Sequence, residues 1–279
     1  MNISGTTKVV GLFGYPVEHS LSPAMHNAAF GHLDLDYCYV AFLVAPGRLK
    51  EAVEGIRALN LGGVNVTVPH KENVIPFLDA VSEEASFIGA VNTIRNDNGI
   101  LTGYNTDGRG FMQSLVEAGV EIKGKRVLIV GAGGASRAIG YYLCKEASAL
   151  SLYDTDAGRA AVLARHLNTI RENIAVIDGH ALNSREFLSH VEMIINATPL
   201  GLKANDPLPV DASLLHKDHV VCDLIYKTTP LLRRASEKGC RTLDGLGMLL
   251  WQGVFAFELW TGIRPPVEVM REALTKFKR

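Results

Sequence analysis

Apolar positions in this chain come in short runs that alternate with amphipathic stretches. Lys8-Val-Val-Gly-Leu-Phe13 reads as a strand, and residues 23–33 carry apolar side chains at helical spacing. Ser22 is the expected N-cap of that helix and Pro23 its first-turn residue. Residues 37–44 read as a second strand, 46–59 as a helix closed by Asn60, and 63–66 as a third strand. Two short helical stretches follow. Strands at 90–94 and 100–104 are then joined by the turn Asn96-Asp-Asn-Gly99. This is a βαβ-like series ending in a hairpin, and it predicts a mainly parallel sheet of its own.

A second series begins after a helix over 107–118, which Gly119 stops. Val127 to Val130 are apolar without interruption, the pattern of a strand covered on both faces. Strands are expected at 149–153, 174–178, 191–195, 220–224 and 240–243. Helices are expected over 135–143, 157–167 and 230–238. Residues 246–260 and 266–276 read as a closing pair of helices that crosses back to the first series. The division expected is 1–106, 107–244 and 245–279, as two α/β domains flanking one cleft with the C-terminal helices returning to the first.

The turn after Val130 carries the first chemistry. Gly131-Ala132-Gly133-Gly134-Ala135-Ser136 follows a buried strand and opens a helix. Glycines there let the backbone turn sharply and approach a ligand. The free N–H groups of the helix start, with the positive end of its dipole, suit a pyrophosphate. Such a turn alone is weak evidence. Here Asp154 closes the next strand, twenty residues past Gly134, where a dinucleotide's ribose is usually held.

Composition narrows the classes. With 279 residues, 47% hydrophobic and 20% charged, the chain has room for one large core or two ordinary ones. A formal net charge of −1 gives no reason to expect nucleic acid or a membrane surface as partner. The first ten residues lack a signal peptide's apolar region, and no run is long enough to span a bilayer. Cys38, Cys144, Cys222 and Cys240 are scattered, as reduced thiols would be. A cytoplasmic enzyme is expected. No histidine spacing suggests a metal, and neither a G-x-S-x-G elbow nor a Walker sequence is present.

Polar residues gather where the first domain's strands should end. Ser20 and Ser22 follow strand one; Asn65, Thr67, His70 and Lys71 follow strand three; Asn92, Asn105 and Asp107 lie in and after the hairpin. Hydroxyl and amide groups of this kind suit a small, polyhydroxylated substrate. Each also has a plainer reading: Ser22 as a helix cap, Asn65 and Asn92 as ties between strand ends, Lys71 as a solvated surface lysine.

Taken together, Gly14-Tyr-Pro-Val-Glu-His-Ser-Leu-Ser-Pro23, Asn65-Val-Thr-Val-Pro-His-Lys71, Gly89-Ala-Val-Asn-Thr93 and Gly103-Tyr-Asn-Thr-Asp-Gly108 resemble successive signatures of the shikimate dehydrogenase family. Gly131 to Ser136, Asn196-Ala-Thr-Pro199, Asp223-Leu-Ile-Tyr226 and the segment from Asp244 to Gln252 continue the resemblance in family order. It implies an N-terminal substrate domain and a Rossmann-type doubly wound cofactor domain. By that resemblance Ser20, Ser22, Thr67, Asn92, Asp107, Tyr226 and Gln252 would hold the substrate. Lys71 would be the acid–base residue and Asp107 its partner. Gly131, Ala132, Gly133, Gly134, Ala135, Ser136, Asp154, Thr155, Thr198, Leu224 and Gly245 would contact the dinucleotide. The implied reaction is reversible reduction of 3-dehydroshikimate to shikimate in aromatic amino-acid biosynthesis, by a monomer or homodimer.

One stretch departs from that pattern. Members that use NADP usually carry Asn-Arg-Thr after the second cofactor-domain strand, whereas this chain has Asp154-Thr155-Asp156. A carboxylate there accepts hydrogen bonds from both ribose hydroxyls of NAD and repels the 2′-phosphate of NADP, unless Arg159 or Arg165 reaches in. NAD is therefore expected over NADP, and an NAD-dependent quinate/shikimate dehydrogenase is the alternative. A dinucleotide-binding sensor without turnover would lack the catalytic pair, and Lys71 and Asp107 are both present.

Overall fold

The computed structural model describes residues 3–203 and 205–276. The extreme ends of the first and last expected segments, residues 1–2 and 277–279, lie outside them. The chain forms two compact units: one runs up to Gly110 and resumes at Leu250, and the other runs from Phe111 to Leu249.

The first unit starts with β1 (Lys8–Gly14), α1 (Ser22–His32), β2 (Tyr37–Leu43), α2 (Leu49–Ala58) and β3 (Gly63–Val66). It continues with β4 (Ala80–Val81), α3 (Glu83–Ile88), β5 (Thr93–Asp97), β6 (Ile100–Tyr104) and the start of α4 (Asp107–Glu117). The strands form one sheet in the order β2-β1-β3-β5-β6-β4, in which only β5 runs against its neighbours. The hairpin closes with Asn98 and Gly99 both at positive φ (53° and 90°), the backbone of a tight two-residue turn. Val53, Ile56, Val64, Val66, Ile94 and Leu101 fill the core beneath the sheet.

Three local expectations need correction. Ser22 is not the cap of α1: it lies inside the helix, and its N–H donates instead to Ser20 Oγ at 3.3 Å. Residues 90–92 are outside the ladder, because β5 begins only at Thr93. The two-residue edge strand β4 is too short to show alternation in a sequence.

The second unit is a sheet of six parallel strands: β7 (Arg126–Val130), β8 (Ala149–Tyr153), β9 (Ile174–Val176), β10 (Met193–Asn196), β11 (Val220–Asp223) and β12 (Arg241–Leu243). Their order, β12-β11-β10-β7-β8-β9, is the doubly wound arrangement whose direction of winding reverses at β7. The glycine turn leaves β7 at that switch point. Helices α5 (Gly134–Glu146), α6 (Ala157–Leu167), α7 (Arg185–His190) and α8 (Pro230–Glu237) connect the strands. The short α7 was not expected from sequence, although Ser184 caps it by accepting the Phe187 N–H. Val127 to Val130 are at most 2% exposed, as continuous apolar runs in a covered parallel sheet should be.

Helix α9 (Leu246–Thr261) begins in the second unit and ends in the first, and α10 (Val267–Lys276) packs against α1. Trp260 of α9 donates its indole N–H to the carbonyl of Ile94 at 3.0 Å. Gly63, at φ +153°, makes room for it: a Cβ there would lie 2.5 Å from the indole nitrogen.

Candidate active site

In the first unit, β1 and β3 are parallel and in register, with Phe13 opposite Val66, so the loops carrying Ser20 and Thr67 leave the same edge of the sheet. Thr67 stays tied to that edge through its N–H, which donates to Phe13 O. Thr67 Cγ2 packs so closely on Gly14 that a Cβ there would meet it at 2.4 Å.

Lys71 and Asp107 meet at this edge. Lys71 Nζ lies 2.5 Å from Asp107 Oδ2, and their side chains are 21% and 8% exposed. Asp107 is the first residue of α4, where the helix dipole favours a carboxylate. Its other oxygen, Oδ1, accepts from Asn92 Nδ2 at 2.9 Å. Asn92 is itself fixed, since the Thr106 N–H donates to its Oδ1 at 2.8 Å. Asn105 completes the support: its Oδ1 accepts the Asp107 N–H and its Nδ2 donates to Ala90 O.

The Ser22 hydroxyl, buried in α1, bonds the Tyr39 hydroxyl, whose ring sits deeper in the core. Gln252 is buried where α9 crosses the first turn of α4: a Cβ on Gly110 would stand 2.7 Å from its N. Ser20, Ser22, Thr67, Lys71, Asn92, Asp107 and Gln252 thus all belong to the first unit. Tyr226 does not; it belongs to the second unit beside Leu224 and Gly245, with its side chain half exposed.

In the second unit the glycine turn is clamped from both sides. The Gly131 N–H donates to Tyr153 O at 2.6 Å, and the Ala132 N–H donates to Asp154 Oδ2 at 2.7 Å. Asp154 Oδ1 accepts from the Asp156 N–H at 2.9 Å. Burial pushes the Asp154 carboxyl up, but these two N–H donors and the Arg159 guanidinium outweigh it and hold the group below the usual carboxylate range. Ser136 is wholly buried and donates its hydroxyl to Gly131 O at 2.7 Å, so it braces the turn from below.

A cavity of about 490 Å³ opens beside the turn, lined among others by Gly131, Gly133, Asp154, Thr155, Arg159 and Thr198. A Cβ on Gly134 would meet nothing within 4 Å, and one on Gly133 would meet only Arg159, at 3.6 Å. An open backbone cradle at a helix start, with an acid at its rim, fits a dinucleotide. Of the two arginines considered from sequence, Arg159 lines this cavity and Arg165 is not among its lining residues.

One buried group carries no signal in a sequence read position by position. Asp223, at the end of β11, accepts from Asn196 Nδ2 (3.1 Å), the Thr229 hydroxyl (2.7 Å) and the Ile225 N–H (3.1 Å). Burial raises its carboxyl above the usual range despite those three donors. The network fixes Asn196, whose Oδ1 then holds Thr198 at the cavity wall.

Residues 12–94 match the family described as shikimate dehydrogenase substrate binding domain, and residues 245–275 the one described as shikimate 5'-dehydrogenase C-terminal domain. A shikimate dehydrogenase (NADP(+)) of Desulforamulus reducens is 50% identical, over 98% of this chain and 97% of that protein. The chain belongs to the shikimate dehydrogenase family. A crystal structure of shikimate dehydrogenase from Aquifex aeolicus superposes with a TM-score of 0.92 at 44% identity, covering 98% of this chain and 99% of that one. Quinate dehydrogenase from Corynebacterium glutamicum in complex with NAD superposes at 0.90 with 36% identity, covering 97% and 99%. The family resemblance therefore extends to relatives of two different names.

Proposed function

We propose that this protein is a shikimate dehydrogenase, which reversibly reduces 3-dehydroshikimate to shikimate with a nicotinamide dinucleotide, a step of aromatic amino-acid biosynthesis. The observation that carries the reading is the Lys71–Asp107 pair, held at 2.5 Å on a sheet edge rich in hydroxyls and amides. Bound NAD(P)H supplies the hydride. The chain's own task is to orient a ring ketone and to deal with the negative charge that develops on its oxygen.

Lys71 as an ammonium stabilises that alkoxide and donates the proton it needs; in the oxidative direction its neutral amine accepts one. Positioned acid–base assistance of this kind is worth roughly 10²–10⁴ in rate. Asp107 keeps the ammonium aimed, and Asn92 keeps Asp107 aimed. Ser20, Ser22, Thr67 and Gln252 supply hydrogen bonds to the substrate's carboxylate and hydroxyls.

On the cofactor, our reading is NAD in preference to NADP. Asp154 stands at the rim of the cavity as a carboxylate, and Asp156, the cap of α6, follows it closely. A 2′-phosphate would meet that negative charge, offset in part by Arg159. The alternative reading, an NAD-dependent quinate/shikimate dehydrogenase, is supported by the likeness to the quinate dehydrogenase in complex with NAD. Initial rates of nicotinamide reduction, offering shikimate and quinate each with NAD and NADP, test all of this. No shikimate oxidation with either cofactor would overturn the main reading, and faster turnover with NADP would overturn the cofactor preference.

A further inference from the structure

Asp107 is the last member of a chain of hydrogen bonds that crosses the core of the first unit. The Tyr39 hydroxyl donates to Asn65 Oδ1 at 2.9 Å. Asn65 Nδ2 donates to Thr93 Oγ1 at 3.0 Å. The Thr93 hydroxyl donates to Asn92 Oδ1 at 3.0 Å, and Asn92 Nδ2 donates to Asp107 Oδ1 at 2.9 Å. Every member is buried, Thr93 completely.

The orientation of both amides follows from groups that have no choice. The Thr106 N–H can only donate, so the atom of Asn92 facing it at 2.8 Å is the oxygen, and the nitrogen must face Asp107. The Asn92 carbonyl can only accept, so the atom of Asn65 facing it at 3.2 Å is the nitrogen, which leaves the Asn65 oxygen to Tyr39. Thr93 Oγ1 accepts from Asn65 and gives its proton to Asn92 Oδ1 at 3.0 Å, the nearer of two oxygens in its reach, with Thr106 Oγ1 at 3.4 Å. All four donors therefore point the same way, from Tyr39 towards the carboxylate.

We propose that Tyr39, Asn65 and Thr93 are positioning residues of the reaction, a one-way donor chain that holds the Asp107 carboxylate in a single orientation with Oδ2 turned to Lys71. The inference rests on the reading of Lys71 and Asp107 as the acid–base pair. In a water-excluded interior, donors aligned in series polarise one another, so the last bond of the chain is stronger than an isolated amide–carboxylate contact. Neither amide can turn over without pointing a nitrogen at a fixed donor or an oxygen at a fixed acceptor, and buried mismatches of that kind are costly.

The start of the chain is equally constrained. The Tyr39 ring stacks on His26 with centroids 4.5 Å apart and planes 7° from parallel, and Trp260 covers it at 5.9 Å. Burial pushes the Tyr39 phenol well above its ordinary range, so it stays a donor. Its bond with Ser22 joins the same chain to a residue expected to hold the substrate.

The test compares Thr93→Val, which keeps the shape and loses the donor, with Thr93→Ser, which keeps the hydroxyl and loses a methyl. For shikimate oxidation, kcat of Thr93→Val is expected to fall about tenfold or more with KM changed less than about threefold, because misplaced catalytic groups cost rate more than binding. Thr93→Ser is expected to retain kcat within about threefold, although both substitutions should lower the melting temperature. Equal kcat values in the two variants, measured where both are folded, would overturn the proposal. Tyr39→Phe removes a single hydroxyl at the chain's start and is read the same way should either Thr93 variant fail to fold; an unchanged kcat there overturns it as well.

Wild-type turnover of shikimate is the separate control for the reaction itself. The nitrogen resonance of the Lys71 ammonium reports the pair without any turnover. It should move in Thr93→Val and stay in Thr93→Ser; an unmoved resonance in Thr93→Val overturns the chain whatever the substrate proves to be.

Discussion

Asp154 Oδ2 accepts the backbone N–H of Ala132 at 2.7 Å, so the acid that closes β8 also clamps the glycine turn that follows β7. Its second oxygen accepts from the Asp156 N–H at 2.9 Å and the Thr155 hydroxyl at 3.5 Å, while Oδ2 keeps a further lone pair to offer a ribose hydroxyl. One side chain thus shapes the cofactor's cradle and sets the charge at its rim.

Replacing that charge should change cofactor preference. Two unit charges a few ångströms apart interact by about 4 kcal/mol at an effective dielectric near 20, before screening. Even a heavily screened remainder gives Asp154→Asn an expected rise of about tenfold in the ratio of kcat/KM for NADP over NAD. An amide cannot accept both N–H donors as a carboxylate does, so NAD efficiency should fall at the same time. Initial rates with the two cofactors check both effects.

Lys71→Ala should leave dinucleotide binding intact and lower turnover of shikimate by roughly 10²–10⁴. Lys71 belongs to the first unit and the glycine turn to the second. Binding is measured by titration with the cofactor and turnover by initial rates. Near wild-type turnover in the variant would remove Lys71 from the acid–base role.

The doubly wound unit was legible because its central strands β7, β10 and β11 are buried on both faces: runs such as Val127 to Val130 have no other good use. Short elements were not. β4 has two residues and α7 has six, less than a full alternation or two helical turns. Among the site residues, Ser22 was misjudged as a cap because serine before proline fits that position locally; its hydroxyl is instead drawn to Tyr39 across the core. Tyr39 and Thr93 gave no sign of their place. Strand tyrosines and threonines are common, and only the fold shows that their hydroxyls point along one line to Asp107.

Gly131 has φ +106°, and a Cβ there would stand 2.9 Å from Ala197 O and 3.0 Å from Thr198 Cγ2. The need for glycine thus comes from the neighbouring chain after β10 as much as from any ligand. Gly131→Ala should destabilise the protein by about 1–3 kcal/mol from the backbone conformation alone. It should also push Thr198 out of the cavity wall, so cofactor affinity falls as well. Urea denaturation and cofactor titration of the same preparation separate the two losses.

His26 makes the protein sensitive to acid. Its ring is completely buried, neither nitrogen has a hydrogen-bond partner among the described residues, and burial lowers its pKa to about 3. Folding therefore requires the neutral imidazole, whereas the unfolded chain takes up a proton below about pH 6.5. Between those two values the unfolded state binds more protons, so the stability contributed is fully present above about pH 6.5 and is lost as pH falls towards 3. Over the interval from pH 7 to pH 5 the loss attributable to this one residue is about 2 kcal/mol, at 1.36 kcal/mol per pH unit. In His26→Leu, urea denaturation at those two pH values should show a difference smaller than wild type by that amount. An undiminished difference would mean that the ring is not held neutral by its burial among Tyr39, Phe257 and Trp260.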